Sequence, residues 1–581
     1  MPRPEENCSS TAVHPIKKYL MEKIFKYSLL FLAGVLFVLL FIIKDIDGDI
    51  GNIYWRLTAA KMHLANDFAM PYFTPVRCGG FLLAADAQDF IFSLYMLLNF
   101  LIINVVWTFK ITNLLLSILL ASGVCVWLKY FDIFNPRARL FTGILVSVSG
   151  YWVYNMTQSG HAWSHGLAYT PWVMVFIEEL LQQKPRKEHS YLLRVWALIA
   201  FFFLLINSGY YWLQVAVPMI GARLLTELLA ADYEKKEKIK RLGMVIAAGV
   251  FALVLSWPRL GGVYEFQFRK FPREGGAVGY MQVMGDTVGV LKTIFISLFD
   301  KKIIIDAVGN PCLGFFWDYT MFIGILALPV FLLGLTRAGK FLKSKAFIAL
   351  FLASVFQFAM TRTTHAVDLV RFFVPIYTQI SWYWRGSAIL VFFACVFVAM
   401  GYEILFKKNH KVLLWGGFLL MVLNLGEMGY THLKQMDFSM NPPLRDIFKE
   451  YRPLAKPLTI NSSPCMIGGI FGYGNECPIQ NRAGGGEPAC GLGNSVYAGG
   501  DAEHYNMNDV RRLASPEADH AFYMKHDWPL WPKKDKEEFE RFINYKQVIQ
   551  LPMRLRIMNI VSGLAWLGYL AAFGLVLRLR K

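Results

Sequence analysis

Charge is scarce in this chain. Only 17% of its 581 residues are charged, against roughly a quarter in soluble domains. With 55% of residues hydrophobic and a mean hydropathy of +0.40, the composition excludes a soluble globule. Motifs of fixed spacing are missing too. No Cys-x-x-Cys pair occurs among the eight cysteines, which removes the usual zinc and thiol-redox readings. No His-Glu-x-x-His pattern occurs, which argues against a zinc peptidase. There is no internal repeat. No small-x-small cleavage site follows the first apolar run, where the sequence continues Lys44-Asp45-Ile46-Asp47. That run follows Lys17, Lys18, Lys23 and Lys26, so it reads as an uncleaved signal anchor with a cytoplasmic N-terminus.

The apolar residues come in blocks. Stretches 27–43, 111–128 and 319–335 carry no charge at all, and each approaches the ~20 residues needed to cross hydrocarbon. The net charge of +18 (59 basic, 41 acidic) could suggest a nucleic-acid partner. The basic residues, however, sit in short clusters between apolar blocks, as the positive-inside rule requires, so no nucleic acid is expected and the partner is the bilayer.

Threading the chain span by span predicts an all-α polytopic membrane protein with about 12 transmembrane helices, at 27–43, 111–128, 140–155, 167–182, 195–207, 211–229, 242–257, 319–336, 346–360, 386–405, 412–428 and 559–577. The loops then expected in the cytoplasm are all basic. They carry Lys129, Arg137 and Arg139; Lys184, Arg186 and Lys187; Lys235, Lys236, Lys238, Lys240 and Arg241; Arg337, Lys340, Lys343 and Lys345; and Lys407, Lys408 and Lys411. Arg578, Arg580 and Lys581 place the C-terminus on the same side. A bacterial inner membrane is the setting this pattern fits. The apolar segment 90–103 would invert every later loop if it crossed, so it is expected to be a re-entrant or interfacial helix. Four sections result: a cytoplasmic tail 1–26, a multi-span module 27–428 with a long outer loop 44–110, a loop-rich extracytoplasmic section 429–558 centred on Gly484-Gly485-Gly486, and a last span with its basic tail, 559–581.

The outer loop opens on Lys44-Asp45-Ile46-Asp47-Gly48-Asp49. In an extended segment its three carboxylates share one face, where they could hold a divalent cation such as Mg or Mn, or serve as a general base. An acidic exit loop that only solvates the chain is the other reading. After the triplet, 50–66 mixes apolar and polar residues, including Trp55 and Arg56, and suits a helix on the membrane surface.

An acidic residue just outside the first span, followed by a long outer loop with an interfacial helix, resembles the GT-C superfamily of membrane glycosyltransferases. Further patches resemble its bacterial YfhO-like branch: Gly48-Asp49; Gly79-Gly80 before the re-entrant segment; Ser159-Gly160-His161 leading to Tyr169-Thr170-Pro171-Trp172; the run from Asn207-Ser208-Gly209 to Gln214; and the aromatic-to-glycine stretch 319–324. The likeness covers about the first 430 residues and lies in layout and motif order. One position departs, since the polar residue expected a turn after Gly48-Asp49 is Asn52 rather than Gln. The resemblance implies a polyprenyl-phosphate-linked sugar donor, an extracytoplasmic acceptor (glycan, lipid or protein), and an inverting displacement. A carboxylate must then orient or deprotonate the acceptor hydroxyl, and cations must stabilise the leaving phosphate. Asp49 is the first choice for the carboxylate, Asp47 the second and Asp45 the third.

For the phosphate, the outer segment 361–385 offers Arg362, His365, Arg371 and Arg385, the last after Ser381-Trp382-Tyr383-Trp384. An arginine beside aromatics at a membrane edge can clamp a phosphate bidentately, or simply snorkel from an aromatic belt. Glu265, Arg269 and Arg273 are similar candidates in the loop 258–318. His161 and His165 stand four apart, one helical turn, without a third ligand; structural or substrate-facing histidines are favoured over a metal pair. Of the cysteines, Cys8, Cys125 and Cys395 fall in cytoplasmic or membrane positions, while Cys465, Cys477 and Cys490 cluster outside, where one disulfide is expected. Two other functions stay open. A transporter or flippase of a lipid-linked or amphipathic solute would need ionisable residues within spans and symmetric halves. A non-catalytic polysaccharide assembly subunit would leave the acidic loop inert.

Overall fold

The computed structural model describes residues 13–43, 60, 73–74, 81–82, 93–101, 105–157, 165–182, 188–209, 213–230, 235–264, 287–300, 321–362, 364–373, 386–407, 411–435, 459–460, 485–486 and 551–578. Expectations for Asp45, Asp47, Asp49, His161, Arg269 and Arg385, for Cys465, Cys477 and Cys490, and for most of 429–558 fall outside them.

The described chain is helical. In chain order the helices are α1 (Val13–Val38, extended by a wide turn over Leu39–Ile43), α2 (Leu94–Leu101), α3 (Val105–Trp127), α4 (Pro136–Ser147), α5 (Gly150–Thr157), α6 (Gly166–Gln182), α7 (Glu188–Ile206), α8 (Ala216–Leu229), α9 (Lys235–Leu255) and α10 (Trp257–Gly262). They continue as α11 (Thr287–Phe299), α12 (Leu328–Leu335), α13 (Ala338–Phe341), α14 (Lys345–Arg362), α15 (Thr364–Phe373), α16 (Ala388–Lys407), α17 (Lys411–Gln435) and α18 (Met553–Arg578). Two pairs of two-residue strands complete the list, antiparallel at Phe73–Thr74 with Phe81–Leu82 and parallel at Thr459–Ile460 with Gly485–Gly486.

Five described helices are long and apolar enough to cross a membrane, covering Lys23–Ile43, Trp107–Phe131, Ala388–Lys407, Lys411–Lys434 and Met553–Arg578. A sixth is added if Lys345–Thr361 and His365–Phe373, bent by 113°, count together. This is a multi-pass membrane protein. The expected count of about 12 spans is not confirmed by these lengths, although each expected segment contains a helix. Segment 140–155 is broken between α4 and α5, and residues 321–324 of segment 319–336 are not helical. The outer section 258–318, expected as loop, contains the helix α11. Its thirteen residues span ~20 Å, short of the ~30 Å hydrocarbon thickness. Likewise α2, within 90–103, has eight residues, ~12 Å, and is too short to cross.

Among the described residues, the basic loops 129–139 and 337–345 meet each other and the ends of α1 and α16. Ser344 Oγ donates to the Tyr130 carbonyl (2.7 Å), and the Arg137 guanidinium lies 5.0 Å from the Phe25 ring and 5.7 Å from that of Phe406. There Asn135 caps α4, its Oδ1 accepting from Arg137 N at 2.9 Å with Pro136 in the first turn. Deeper in the bundle, α12 and α16 approach through paired glycines. A Cβ on Gly334 would lie 2.0 Å from the Phe397 carbonyl oxygen, and one on Gly401 2.1 Å from that of Val330. Small residues at such crossings are how helices pack in lipid, where no hydrophobic force drives them together.

Candidate functional site

The site is best built from the end of α1. The chain leaves α1 at Ile43, directly before the acidic triplet. Lys110, near the start of α3, donates from Nζ to the Ile42 carbonyl at 2.8 Å, and so ties the root of that loop to α3. One turn further along α3, Asn113 is fully buried. It accepts a hydrogen bond from the Tyr95 hydroxyl of α2 and donates through Nδ2 to the Met156 carbonyl at the end of α5 (2.8 Å). Tyr95 in turn stacks on His165, ring centroids 4.1 Å apart. His165 is 1% exposed, and burial holds its imidazole well below the usual histidine range, so it is neutral at physiological pH. Ser93 and Asn99 of the α2 region, Thr108 and Thr112 of α3, and Asn155 and Thr157 of α5 are also buried, so the three segments joined through Asn113 carry polar groups out of water.

A second polar group surrounds the broken helices. Between α4 and α5, and over 321–324, the backbone is not helical, so its groups need partners away from water. Gly150 N donates to the Phe322 carbonyl (2.7 Å) and Ile323 N to that of Leu298 (2.8 Å). Most remaining partners come from α17. His432 Nε2 donates to the Val148 carbonyl at 2.8 Å. Asn424, its amide turned to satisfy both neighbours, donates to the Ile323 carbonyl (3.1 Å) and accepts from Ala327 N (3.2 Å). Glu427 accepts from Ile325 N and Leu326 N, each at 3.2 Å, and so caps the helical start with a carboxylate. Gly324 has φ +92°, and a Cβ there would sit 2.5 Å from the Asn424 side chain. Tyr154 joins the two groups, its ring centroid 5.2 Å from that of His432.

The charges within the helices form a third group, at the opposite end. Arg223 of α8 reaches Glu178 of α6 twice (Nε–Oε1 2.7 Å, Nη2–Oε2 2.9 Å) and Glu227 once (Nη1–Oε2 2.8 Å). Lys345 of α14 lies 3.3 Å from Glu227. The Arg223 and Glu178 side chains are fully buried and that of Glu227 is 1% exposed.

No family model matches the chain, and neither does any curated protein. Solved structures of the Archaeoglobus fulgidus oligosaccharyltransferase are similar at 13% identity. The apo form aligns over 72% of this chain and 56% of its own, with a TM-score of 0.41. The complex with Zn and sulfate aligns over 71% and 53%, at 0.40, and that with an inhibitory peptide and a dolichol-phosphate over 72% and 56%, at 0.41. The chain thus spans about half the length of these structures, and a likeness at this level assigns it neither family nor activity.

Of the candidate ligands singled out from sequence, the structure describes His365 and Arg371, with His165 and with Arg362, the last residue of α14. It does not bring the first two together: six positions apart on α15, they point ~120° away from each other at ~100° per residue. His365 is exposed and Arg371 half-buried. Among the described residues no three His, Cys, Asp or Glu side chains converge as metal ligands; the triplet lies outside that set. Lys110, Tyr95, Asn113, Asn424, Glu427 and His432 were missed. A signal for the last three existed, since 424, 427, 431 and 432 form a polar stripe of helical spacing on an apolar helix. Nothing in the sequence marks Tyr95 or Asn113.

Proposed function

We propose that the chain is a GT-C-type membrane glycosyltransferase that moves a sugar from a polyprenyl-phosphate donor to an acceptor on the extracytoplasmic side of a bacterial inner membrane. The observation that supports it is the tie between Lys110 and Ile42, which holds the end of α1, directly before Lys44-Asp45-Ile46-Asp47-Gly48-Asp49 in the sequence, against the start of α3, one turn from Asn113 and its partner Tyr95. In this reading Asp49, with Asp47 behind it, accepts the proton of the acceptor hydroxyl as that oxygen attacks the anomeric carbon. The bond from that carbon to the phosphate oxygen breaks on the opposite face, and polyprenyl phosphate leaves. Arg371, Arg385 and Arg269 are the candidates to stabilise its charge. A divalent cation would use the same three carboxylates, and no step above depends on it. The section 429–558 would form a cap over this side.

The transporter reading has one observation in its favour, because broken helices are where transporters bind substrate. Here, however, Glu427 occupies the helical start at Ile325, and Asn424 and His432 hold the neighbouring carbonyls. The charges of α6, α8 and α14 bind one another. The test is turnover of radiolabelled polyprenyl-phosphate sugar in membranes. Asp49→Asn keeps size and removes charge, and a lost general base costs about 10²–10⁴-fold. A folded Asp49→Asn protein with normal turnover, and the same result for Asp47→Asn, would remove the enzyme reading.

A further inference from the structure

Helix α15 presents its apolar side outward. Leu369 is 60% exposed, Phe372 78% and Phe373 71%, whereas Val367 on the other side is fully buried. The ten residues measure ~15 Å, half of what a span needs. α15 does not continue α14 but turns from it by 113°. α14 is itself an apolar helix of eighteen residues, ~27 Å long against the ~30 Å of hydrocarbon, and it exposes Phe351, Leu352 and Val355. A helix turned that far from a membrane-crossing neighbour runs close to the bilayer plane.

We propose that α15 is an interfacial anchor, lying along the membrane–water boundary with Leu369, Phe372 and Phe373 among phospholipid acyl chains. Its position explains why a short helix directs aromatic rings away from the protein. Asp368 flanks the apolar face and Arg371 turns towards the protein, so the helix carries one formal charge of each sign and needs no anionic lipid. This distinguishes it from a basic amphipathic helix, which binds through charge as well as apolar area. The proposal does not depend on the enzyme reading, since it concerns only where α15 lies.

The experiment places the photo-crosslinker p-benzoylphenylalanine at Phe372 or at Val370, which stands ~160° round the helix from it, in the full chain, reconstituted in phosphatidylcholine nanodiscs and irradiated. Intact mass should show a one-phospholipid adduct for the Phe372 position, several-fold more abundant than for Val370, with fragments placing the link on an acyl chain. Adding phosphatidylglycerol should leave the yield unchanged. Crosslinks from position 372 to other segments of the chain, or to a second copy, would overturn the proposal. So would an acyl-chain yield no higher than at 370. To guard against misfolding, Phe372→Trp should keep monodisperse elution and lose emission when acyl-brominated phosphatidylcholine replaces the ordinary lipid; unchanged emission would likewise overturn it.

Discussion

Arg223 is the charge whose removal should hurt this protein most, and the structure sets the size of the effect. Its guanidinium gives three charge-assisted bonds of 2.7–2.9 Å to two carboxylates, one from α6 and one from α8. Replacing it by methionine keeps the volume but strips both bonds from Glu178, which stays sealed from water. Breaking a buried pair in this way costs about 3–5 kcal/mol. Glu227 suffers less, because Lys345 remains 3.3 Å away. Lys345 itself is 23% exposed along its side chain, so Lys345→Met should cost only about 0–1 kcal/mol. The double variant Arg223→Met/Glu178→Met replaces a buried ion pair by apolar groups, which is often close to neutral. It should recover about 0.5–3 kcal/mol relative to the sum of the single changes. The assay is unfolding by SDS in mixed micelles, followed by the fluorescence of the sixteen tryptophans. Two results would refute the reasoning: additive single and double variants, or a Lys345→Met protein as damaged as Arg223→Met.

Gly401→Val places a side chain against the Val330 carbonyl, which is backbone and cannot swing aside; α12 and α16 must separate, at a cost of about 1–3 kcal/mol. Gly416→Ala, with open space around it, should cost nothing by the same unfolding measurement, and equal losses would discredit the glycine crossing. Glu427→Ala removes the acceptor of two backbone N–H groups at Ile325 and Leu326, worth about 1–3 kcal/mol, whereas Glu427→Gln keeps one acceptor oxygen and should lose less. Hydrogen exchange at 325–327, followed by mass spectrometry, should rise in the alanine variant; unchanged protection would show that the carboxylate does not hold this helical start.

How much of this was legible in the sequence follows from what each signal depends on. Apolar runs and basic clusters are local, and transfer from water to hydrocarbon acts on each segment separately. Helices therefore occur within every expected span, and the described basic loops 129–139 and 337–345 meet. Lengths and breaks are not local. The gap between α4 and α5 and the helical start at Ile325 persist because Gly150 N of the first bonds the Phe322 carbonyl of the second, and because Asn424, Glu427 and His432 arrive from α17, about a hundred residues further on from Ile325. Charges show the same division. Sequence alone placed Glu178, Arg223 and Glu227 near helix ends, whereas only packing of α6 against α8 made them one buried network. Sequence alone likewise offered His365 and Arg371 as partners within one outer segment. The helix of Thr364–Phe373 separates them, because six residues at ~100° each turn one side chain ~120° from the other.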